Sequence, residues 1–185
     1  MHRPENLLNK NGTEIYEILS EFKDKGLINK IGISIYEPDD LEKIIPNFEL
    51  DIIQSPINIL DRRLINSFWA DELNKKGIEI HARSIFLQGL LVIDPSKRPT
   101  YFKKWNKLFR AYDEWLHEKK ISNLEVCIRF VLSQDSIDKV IIGIDSCEQL
   151  KEIIKISASK EEKLVIPDKL FSTDKFLINP SCWKV

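Results

Sequence analysis

Polar residues that could bind a ligand directly follow three short apolar segments of the sequence. Ser34 and Gln54 end the first two segments, and Arg83–Ser84 ends the third. In proteins built from parallel strands and helices, ligands bind at the carboxyl ends of the strands. These residues are therefore candidates for one binding edge, where Arg83 supplies a permanent positive charge with a planar face. The structural alternative is that Ser34 and Gln54 only close the strand ends by hydrogen bonding.

A second candidate region surrounds Ser146, which begins a predicted helix. Ser146 and Gln149 have the spacing of a capping box, and Gly143 allows close approach of the backbone to a ligand. Unpaired N–H groups at a helix start favour an anion. Anion binding and simple helix capping carry equal weight for Ser146 and Gln149. The loop that contains Phe86 and Gly89 follows the third apolar segment and is a candidate for the same binding edge.

None of the common catalytic motifs is complete in this sequence. There is no Walker loop, no dinucleotide-binding glycine motif, no nucleophile elbow and no paired-histidine zinc motif. The histidines are isolated, and packing for His81 and a favourable helix-end charge for His117 are the simpler interpretations. The cysteines are odd in number and lie outside paired motifs, so we expect reduced thiols and no metal site at Cys127, Cys147 and Cys182.

Short segments rich in isoleucine and valine alternate with longer amphipathic segments, which predicts an α/β fold with a parallel sheet. The predicted strands are residues 31–34, 51–54, 78–82 and 140–143. The predicted helices are residues 12–25 and 64–76, together with helices that begin near residues 37, 122 and 146. A (β/α)8 barrel typically takes about 250 residues, so these strands indicate either a small open sheet or part of a barrel.

A long insertion over residues 90–120 separates the third predicted strand from the fourth. Its aromatic residues recur at helical spacing between Tyr101 and Trp115, with basic residues between them. Aromatic and basic residues together are also typical of nucleic-acid binding, but one apolar stripe favours an amphipathic packing helix. The tail, residues 157–185, is predicted to be an extended wrap with Phe171, Phe176, Leu177 and Trp183 as anchors.

Composition argues against two classes of partner. The 28 Lys and Arg nearly cancel the 29 Asp and Glu, which removes the electrostatic case for binding nucleic acid. No apolar run reaches the roughly 20 residues that cross a bilayer. Residues 1–5 lack the basic and apolar regions of a secretory signal. We therefore expect a cytoplasmic protein that binds neither nucleic acid nor a membrane.

Four segments, in order, resemble motifs of the aldo-keto reductase family. Residues 26–34 resemble the family segment that ends I-G-V-S-N, and residues 54–62 resemble its Q-x-x-(Y/F)-N segment. Residues 77–91 are similar to the family's A-Y-S-P-L-x-x-G-L-L segment, and residues 140–150 are similar to its closing V-I-(P/V)-G segment. The resemblance covers nearly the whole chain but only the second half of the family's barrel.

The resemblance implies a fold and a reaction. The fold is a partial (β/α)8 TIM barrel, roughly strands 5–8 with their helices plus the C-terminal tail, in one domain over residues 1–185. The reaction is NAD(P)H-dependent reduction of aldehydes and ketones by a tetrad of Asp, Tyr, Lys and His. His2 matches the tetrad histidine, and the other three members would lie upstream of Met1.

The resemblance also implies cofactor contacts. Ser34 and Gln54 correspond to the groups that hold the nicotinamide amide. Arg83 replaces the aromatic residue that stacks on the nicotinamide, and it either stacks less specifically or forms a salt bridge, with Asp61 or Glu79 as structural partners.

The remaining cofactor candidates lie later in the chain. Ser84 and Phe86 match the diphosphate loop, and the helix start matches the segment that binds the adenosine phosphate: Gly143, Asp145, Ser146 and Gln149. Asp145 lacks the positive charge expected beside a 2′-phosphate, so the expected cofactor is NADP or NAD, without a metal.

Half a barrel has consequences for assembly. Its open sheet edges and uncovered apolar faces predict either a homo-oligomer or a partner chain that supplies the other four strands. The expected function is that of a truncated aldo-keto reductase that carries the cofactor-binding half and is inactive alone. The alternative is an inactive half-barrel that serves as a dinucleotide-binding or interaction module.

Overall fold

The computed structural model describes residues 1–159 and 164–184, which form two compact units. The first unit comprises Met1–Pro56, Arg63–Arg83 and Ser136–Lys139. The second unit comprises Ile57–Arg62, Ser84–Asp135 and the described part of Val140–Val185. The assignment of the whole chain to a single domain stays a prediction. Among the described residues, every helix is too short or too polar to cross a bilayer.

The described residues contain a four-stranded sheet in which the order along the chain is also the order in space. The register of the first three strands is parallel, with Ile53 opposite both Ile33 and Ile80, and all three isoleucines are buried. This arrangement confirms the predicted α/β fold with a parallel sheet. The strands are β1 (Gly32–Ser34), β2 (Ile52–Pro56), β3 (Glu79–Arg83) and β4 (Lys139–Val140).

Gly32 allows β1 and β2 to approach each other closely. A Cβ atom added at Gly32 would lie 2.7 Å from both the Cβ atom and the carbonyl oxygen of Ile52. Real Cβ atoms do not tolerate such a distance, so the pairing of β1 with β2 requires glycine here.

β4 covers only Lys139–Val140, whereas the sequence predicts a strand over residues 140–143. Asp138 attaches the start of β4 to β3. Its backbone N–H donates to the carbonyl of Ile80 (3.0 Å), and its carboxylate accepts from the N–H of Ile80 (2.8 Å). A β-branched run extends a strand where its side chains pack on a covered sheet, but Ile141 is 41% exposed.

Along the chain of the first unit, helices precede β1, lie between β1 and β2 and follow β2. The helix Gly12–Asp24, here α2, agrees with the predicted helix, and Gly26 follows it with a φ of 68°, the left-handed conformation that commonly ends helices. The predicted helix over residues 64–76 is instead two helices, and between them Ser67 Oγ accepts from the N–H of Trp69 (3.3 Å). The helices are α1 (Glu5–Leu8), α2 (Gly12–Asp24), α3 (Leu41–Ile44), α4 (Arg63–Asn66) and α5 (Trp69–Lys75).

The apolar face of α2 is only partly covered. Ile18 and Phe22 lie one turn apart and are 46% and 40% exposed. Leu27, just after the helix, is 69% exposed. The amphipathic pattern therefore predicts the helix correctly, but the first unit does not bury the face that the pattern defines.

The second unit contains α6 (Asn106–Lys119), α7 (Asn123–Leu132), α8 (Cys147–Ser157) and α9 (Lys175–Ile178). The predicted cap of α7 is confirmed, since Ser122 Oγ accepts from the N–H of Glu125 (3.1 Å). α7 packs against α8. The predicted packing role of the insertion is also confirmed, because α6 buries Phe109, Tyr112, Trp115 and Leu116.

The tail is described except for residues 160–163 and 185. Leu177 is fully buried, as predicted, and Trp183 packs edge-on against Phe102 with ring centroids 4.8 Å apart. Phe176, expected as an anchor, is 47% exposed, whereas its neighbour Ile178 is fully buried. The short helix α9 therefore buries Leu177 and Ile178 but leaves Phe176 partly exposed, a difference that the sequence pattern did not predict.

Candidate functional site

Ser34 lies at the centre of a hydrogen-bonded group at the carboxyl end of the sheet, which we call the Ser34 group (Ser34, Gln54 and Arg83). The register places Ser34 opposite Gln54, and the Ser34 hydroxyl donates to Gln54 Oε1 (3.3 Å). Arg83 Nε donates to the same hydroxyl oxygen (3.1 Å). Ser34 is buried. The structure therefore brings together three predicted residues from three strands through one buried hydroxyl.

The Arg83 guanidinium lies over an aromatic ring of its own unit. Its Cζ atom is 4.3 Å from the ring centroid of Tyr36, and its Nη2 atom donates to the carbonyl of Ile35 (3.1 Å). This is a cation–π contact. Glu79 begins β3 at the strand's other end, where it pairs with Lys30, and the alternative of an ion pair between Arg83 and Asp61 stays a prediction.

Tyr36 is a residue that sequence analysis missed as part of the site. Arg63 Nη2 donates to the backbone carbonyl of Tyr36 (3.0 Å), and Arg63 also pairs with Glu37. These bonds fix the loop that carries the ring. The available signal was an aromatic residue two positions after Ser34, close to a strand end.

His2 follows a residue that lies alongside β1. The α-amino group of Met1 donates to the carbonyl of Gly32 (2.6 Å), and the N–H of Ser34 donates to the carbonyl of Met1 (3.0 Å). In a parallel pair of strands, one residue bonds to the two residues that flank its partner, as Met1 does with Gly32 and Ser34. His2 itself is exposed, and its catalytic assignment stays a prediction.

The loop after β3, in the second unit, has an unusual backbone. Ser84, Leu87 and Gln88 have φ values of 57°, 48° and 53°, in the region that favours glycine. The N–H of Leu87 donates to the carbonyl of Ser84 (2.9 Å), and the Leu87 side chain is fully buried. Phe86 remains partly exposed. Such conformations persist where surrounding structure fixes them, and they cluster at ligand sites.

Asn58 is part of the structure that fixes this loop. Its side-chain oxygen accepts from the N–H groups of Leu60 (3.0 Å) and Asp61 (2.9 Å), and its amide nitrogen donates to the carbonyl of Ser84 (3.2 Å). Asn58 is fully buried. Sequence analysis did not include it among the site residues, although it is the asparagine of the Q-x-x-(Y/F)-N segment.

The start of α8 is organised by local hydrogen bonds. Ser146 Oγ accepts from the N–H of Gln149 (3.2 Å), and Gln149 Oε1 accepts from the N–H of Asp145 (2.8 Å). The capping role of Ser146 and Gln149 is therefore confirmed, while their role toward a ligand stays a prediction. A Cβ atom added at Gly143 would meet no atom within 4 Å, so packing does not require glycine there.

Each unit holds some of the predicted site residues. The first unit holds the Ser34 group, and the second unit holds Ser84 and Phe86 in one loop. The second unit also holds the group at the start of α8, which consists of Gly143, Asp145, Ser146 and Gln149.

Comparison with known sequences identifies similar proteins. A sequence profile of the Aldo/keto reductase family matches residues 1–166. The "uncharacterized oxidoreductase YqkF" of Bacillus subtilis is 26% identical over 156 residues, covering 80% of this chain and 50% of that protein. The "NADH-specific methylglyoxal reductase" of Escherichia coli is 25% identical over 155 residues, covering 75% of this chain and 47% of that protein.

Solved structures share the fold. The holo form of an aldo-keto reductase from Bacillus halodurans aligns with a TM-score of 0.65 and 22% identity, over 78% of this chain and 50% of that protein. Its apo form aligns with a TM-score of 0.66 and 23% identity, over 85% of this chain and 54% of that protein. The chain spans about half the length of the curated relatives that it matches.

Proposed function

Because the chain belongs to the aldo/keto reductase family, we propose that it contributes the cofactor-binding half of an NAD(P)H-dependent carbonyl oxidoreductase. The family match over residues 1–166 includes every candidate site residue. When bound, the cofactor supplies a hydride to the carbonyl carbon of an aldehyde or ketone, and a proton on the oxygen completes the alcohol. The activity of the whole enzyme belongs to the proposal, since the relatives are about twice as long.

The observation that carries the proposal is the Ser34 group. A nicotinamide carboxamide has both donors and an acceptor, and the Gln54 side chain offers the complementary acceptor and donors. The Ser34 hydroxyl, 3.3 Å from Gln54 Oε1, is a second group that can donate to or accept from the ligand. Ser34 is buried, so its hydroxyl is already removed from water. Moving its hydrogen bond from Gln54 to a ligand therefore costs little hydration free energy.

We assign Arg83 a positioning role in this group. Its Nε atom fixes the Ser34 hydroxyl, and its guanidinium lies over Tyr36. Arg83 therefore orients the groups that would hold the carboxamide, in place of the stacking contact that the family resemblance assigns to an aromatic residue at this position.

The second unit supports the proposal through two independent features. The left-handed residues between Ser84 and Gly89 form a tight turn in the segment that resembles the diphosphate loop. The open space at Gly143 is consistent with a ligand, rather than packing, as the reason for glycine. Both features lie within the second unit and can be tested there.

Asp145 favours NADH over NADPH in this proposal. It lies one residue before the cap of α8 and is exposed. A carboxylate suits a ribose hydroxyl and repels a 2′-phosphate. The relative from Escherichia coli is named as NADH-specific, in keeping with this preference.

We also propose that the four strands form half of a barrel that a further βα segment completes. β1 and β4 are the terminal strands of the sheet in the described residues. The exposed side chains of Ile18 and Phe22 on α2 supply an apolar face that such a segment would cover. That segment would carry the Asp, Tyr and Lys of the tetrad, while His2 would be this chain's catalytic contribution.

Cofactor binding is tested by titrating the 185-residue chain with NADH and with NADPH and following cofactor fluorescence. We expect NADH to bind, and Gln54→Leu to weaken it by roughly 5- to 10-fold through the loss of hydrogen bonds. Gln134→Leu, two residues after α7, is the matched control and should bind as the unmodified chain does. Asp145→Arg should shift the preference toward NADPH by about 2- to 5-fold, since exposed charge pairs are weak.

The division of labour is tested by activity and assembly. We expect no carbonyl-dependent oxidation of NADH by the chain alone, because the proton donor belongs to the completing segment. Light scattering after size exclusion should show self-association of the isolated chain through its uncovered face. Turnover by the chain alone would overturn the half-barrel proposal, and failure to bind either cofactor would favour an interaction module.

A further inference from the structure

Three aromatic rings of the second unit surround one ammonium group. The Nζ atom of Lys104 lies 3.9 Å from the ring centroid of Trp105, 5.1 Å from that of Tyr101 and 5.2 Å from that of Phe176. We propose that these rings, here called the aromatic cage (Tyr101, Trp105 and Phe176), form a binding site for a small quaternary ammonium compound. Lys104 is its intramolecular occupant.

Contacts within the second unit position the residues of the cage. Tyr101 and Trp105 belong to the 3-10 turn Thr100–Trp105, and their centroids are 5.6 Å apart. The Tyr101 hydroxyl donates to the backbone carbonyl of Phe176 (2.9 Å), which ties the backbone that carries the third ring to the first ring. The buried ring of Phe102 packs edge-on against Tyr101 with a centroid distance of 5.0 Å. The rings of Tyr101 and Trp105 and the backbone of Phe176 are therefore positioned before any ligand binds.

A carboxylate adds to the attraction for cations. Trp105 Nε1 donates to Asp174 Oδ2 (3.0 Å), so a negative charge lies at the edge of the cage. Asp174 also caps α9 by accepting from the N–H of Phe176 (3.0 Å). The ring faces and this carboxylate both favour a positive charge in the space that the Lys104 ammonium occupies.

The chemistry of the cage favours a quaternary ammonium over the lysine that now occupies it. A lysine ammonium is compact and strongly hydrated, so it loses hydration when it lies against rings. A trimethylammonium group has no N–H to desolvate, and its methyl groups pack on ring faces, which is how aromatic cages recognise such ligands. Lys104 is exposed and Phe176 is 47% exposed, so the lysine can move into water and leave the cage accessible.

A purely structural role makes different predictions. In that role, the contacts between Lys104 and the rings only hold α9 beside the 3-10 turn, and removing the lysine leaves nothing that binds a ligand. In the proposed role, removing Lys104 vacates a site that remains folded, because the Tyr101–Phe176 and Trp105–Asp174 bonds do not involve Lys104. The ammonium of Lys175 then remains at one ring, 5.5 Å from the Phe176 centroid. The site lies within the second unit and does not depend on the proposed nucleotide binding.

The test follows the indole N–H signals of the four tryptophans by NMR of the full chain during titration with choline. The Trp105 signal, assigned with Trp105→Phe, should move, while those of Trp69, Trp115 and Trp183 should not. Lys104→Ala should tighten choline binding by roughly threefold or more, because the competing ammonium is gone. Lys103→Ala, in the same turn, is the matched control and should leave the affinity unchanged.

Loss of one ring measures the cation–π contribution. Trp105→Leu should weaken choline binding by a factor of roughly 2 to 30. Its fold is checked by the unchanged signals of the other tryptophans. The neutral isostere of choline, with a tert-butyl group in place of trimethylammonium, should bind far more weakly in every variant.

Three results would overturn the proposal. The first is no movement of the Trp105 signal in Lys104→Ala at any choline concentration. The second is equal binding of choline and its neutral isostere, which would indicate a merely apolar surface. The third is binding of phosphatidylcholine vesicles without binding of free choline, which would indicate a membrane surface instead of a small-molecule site.

Discussion

The Ser34 group and the start of α8 contain similar polar residues but are assembled in opposite ways. Ser34 and Arg83 are 49 positions apart in the chain, and they meet because the sheet aligns the ends of β1 and β3. Ser146 and Gln149 are three positions apart, and one turn of helix brings them together. The geometry of the Ser34 group therefore depends on the buried core of the first unit, whereas the start of α8 depends mainly on local helix formation.

The largest expected effect comes from removing the core that aligns the Ser34 group. Ile53 is fully buried in β2, next to Gln54 and opposite Ile33 and Ile80. Ile53→Ala should lower the free energy of unfolding by about 2–5 kcal/mol through a cavity in the sheet. The measurement is urea unfolding followed by circular dichroism.

The matched control for Ile53 is Ile154→Ala in α8. Ile154 is 57% exposed, so its replacement should change the free energy of unfolding by no more than about 0.5 kcal/mol. Similar changes in the two variants would contradict the contrast between a core-dependent group and a locally formed one.

The next effect tests whether Arg83 positions its neighbours. Arg83→Met removes the donors to Ser34 Oγ and to the carbonyl of Ile35, and should lower the free energy of unfolding by about 1–2 kcal/mol. Arg83→Lys should restore little, because an ammonium has neither the planar face that lies over Tyr36 nor the fork of donors. Urea unfolding of both variants is the measurement. A lysine variant as stable as the unmodified chain would show that only the charge matters.

A smaller effect separates capping from ligand binding at α8. Ser146→Ala should cost about 1 kcal/mol of stability, the usual value for loss of an N-cap. Ser146→Asp should restore the stability, because aspartate caps helices as well as serine does. If the helix start also binds a cofactor phosphate, the aspartate should weaken NADH binding by repulsion. Restoration of both stability and binding by aspartate would leave Ser146 with capping alone.

Sequence analysis located the Ser34 group correctly because strand ends in a parallel sheet converge, and the isoleucine-rich segments identify the strands. It predicted too long a fourth strand for a physical reason. The apolar residues after Val140 match a strand in composition, but Ile141 and Ile144 are 41% and 42% exposed, so no packing extends the strand. Composition identifies side chains that prefer burial but not whether a partner surface exists.

The sequence pattern also did not predict which side chains stack on each other. The contact of Arg83 with Tyr36 depends on the course of the loop after β1, which Arg63 fixes through the Tyr36 carbonyl. In the second unit, the bond between Trp105 and Asp174 joins residues 69 positions apart through a segment without a strong sequence period. Such contacts arise from tertiary packing, and neither helical nor strand periodicity encodes them.

The smallest expected effect concerns the amino end of the same sheet, where the Glu79 carboxylate pairs with basic side chains. Hydrogen bonds from Lys30 and then His81 lower the pKa of Glu79 from 4.5 to about 2. The unfolded chain therefore binds this proton more readily than the folded chain. The stabilising contribution of Glu79 is complete above about pH 4.5 and is lost as the pH falls toward about 2.

Glu79→Gln should therefore flatten the dependence of stability on pH within this window, while Glu118→Gln, at an exposed position of α6, should leave it unchanged. The measurement is urea unfolding at a series of pH values between 2 and 4.5. The Ser34 and Gln54 side chains carry no ionisable group, so the hydrogen bond between them has no pH dependence of its own. Parallel curves for the unmodified chain and Glu79→Gln would mean that the acid sensitivity arises from other carboxylates, such as Asp51, whose pKa is lowered because hydrogen bonds from Lys23 and Ile31 outweigh its desolvation. A flattened curve would locate it at the amino end of the strands whose other end holds the Ser34 group.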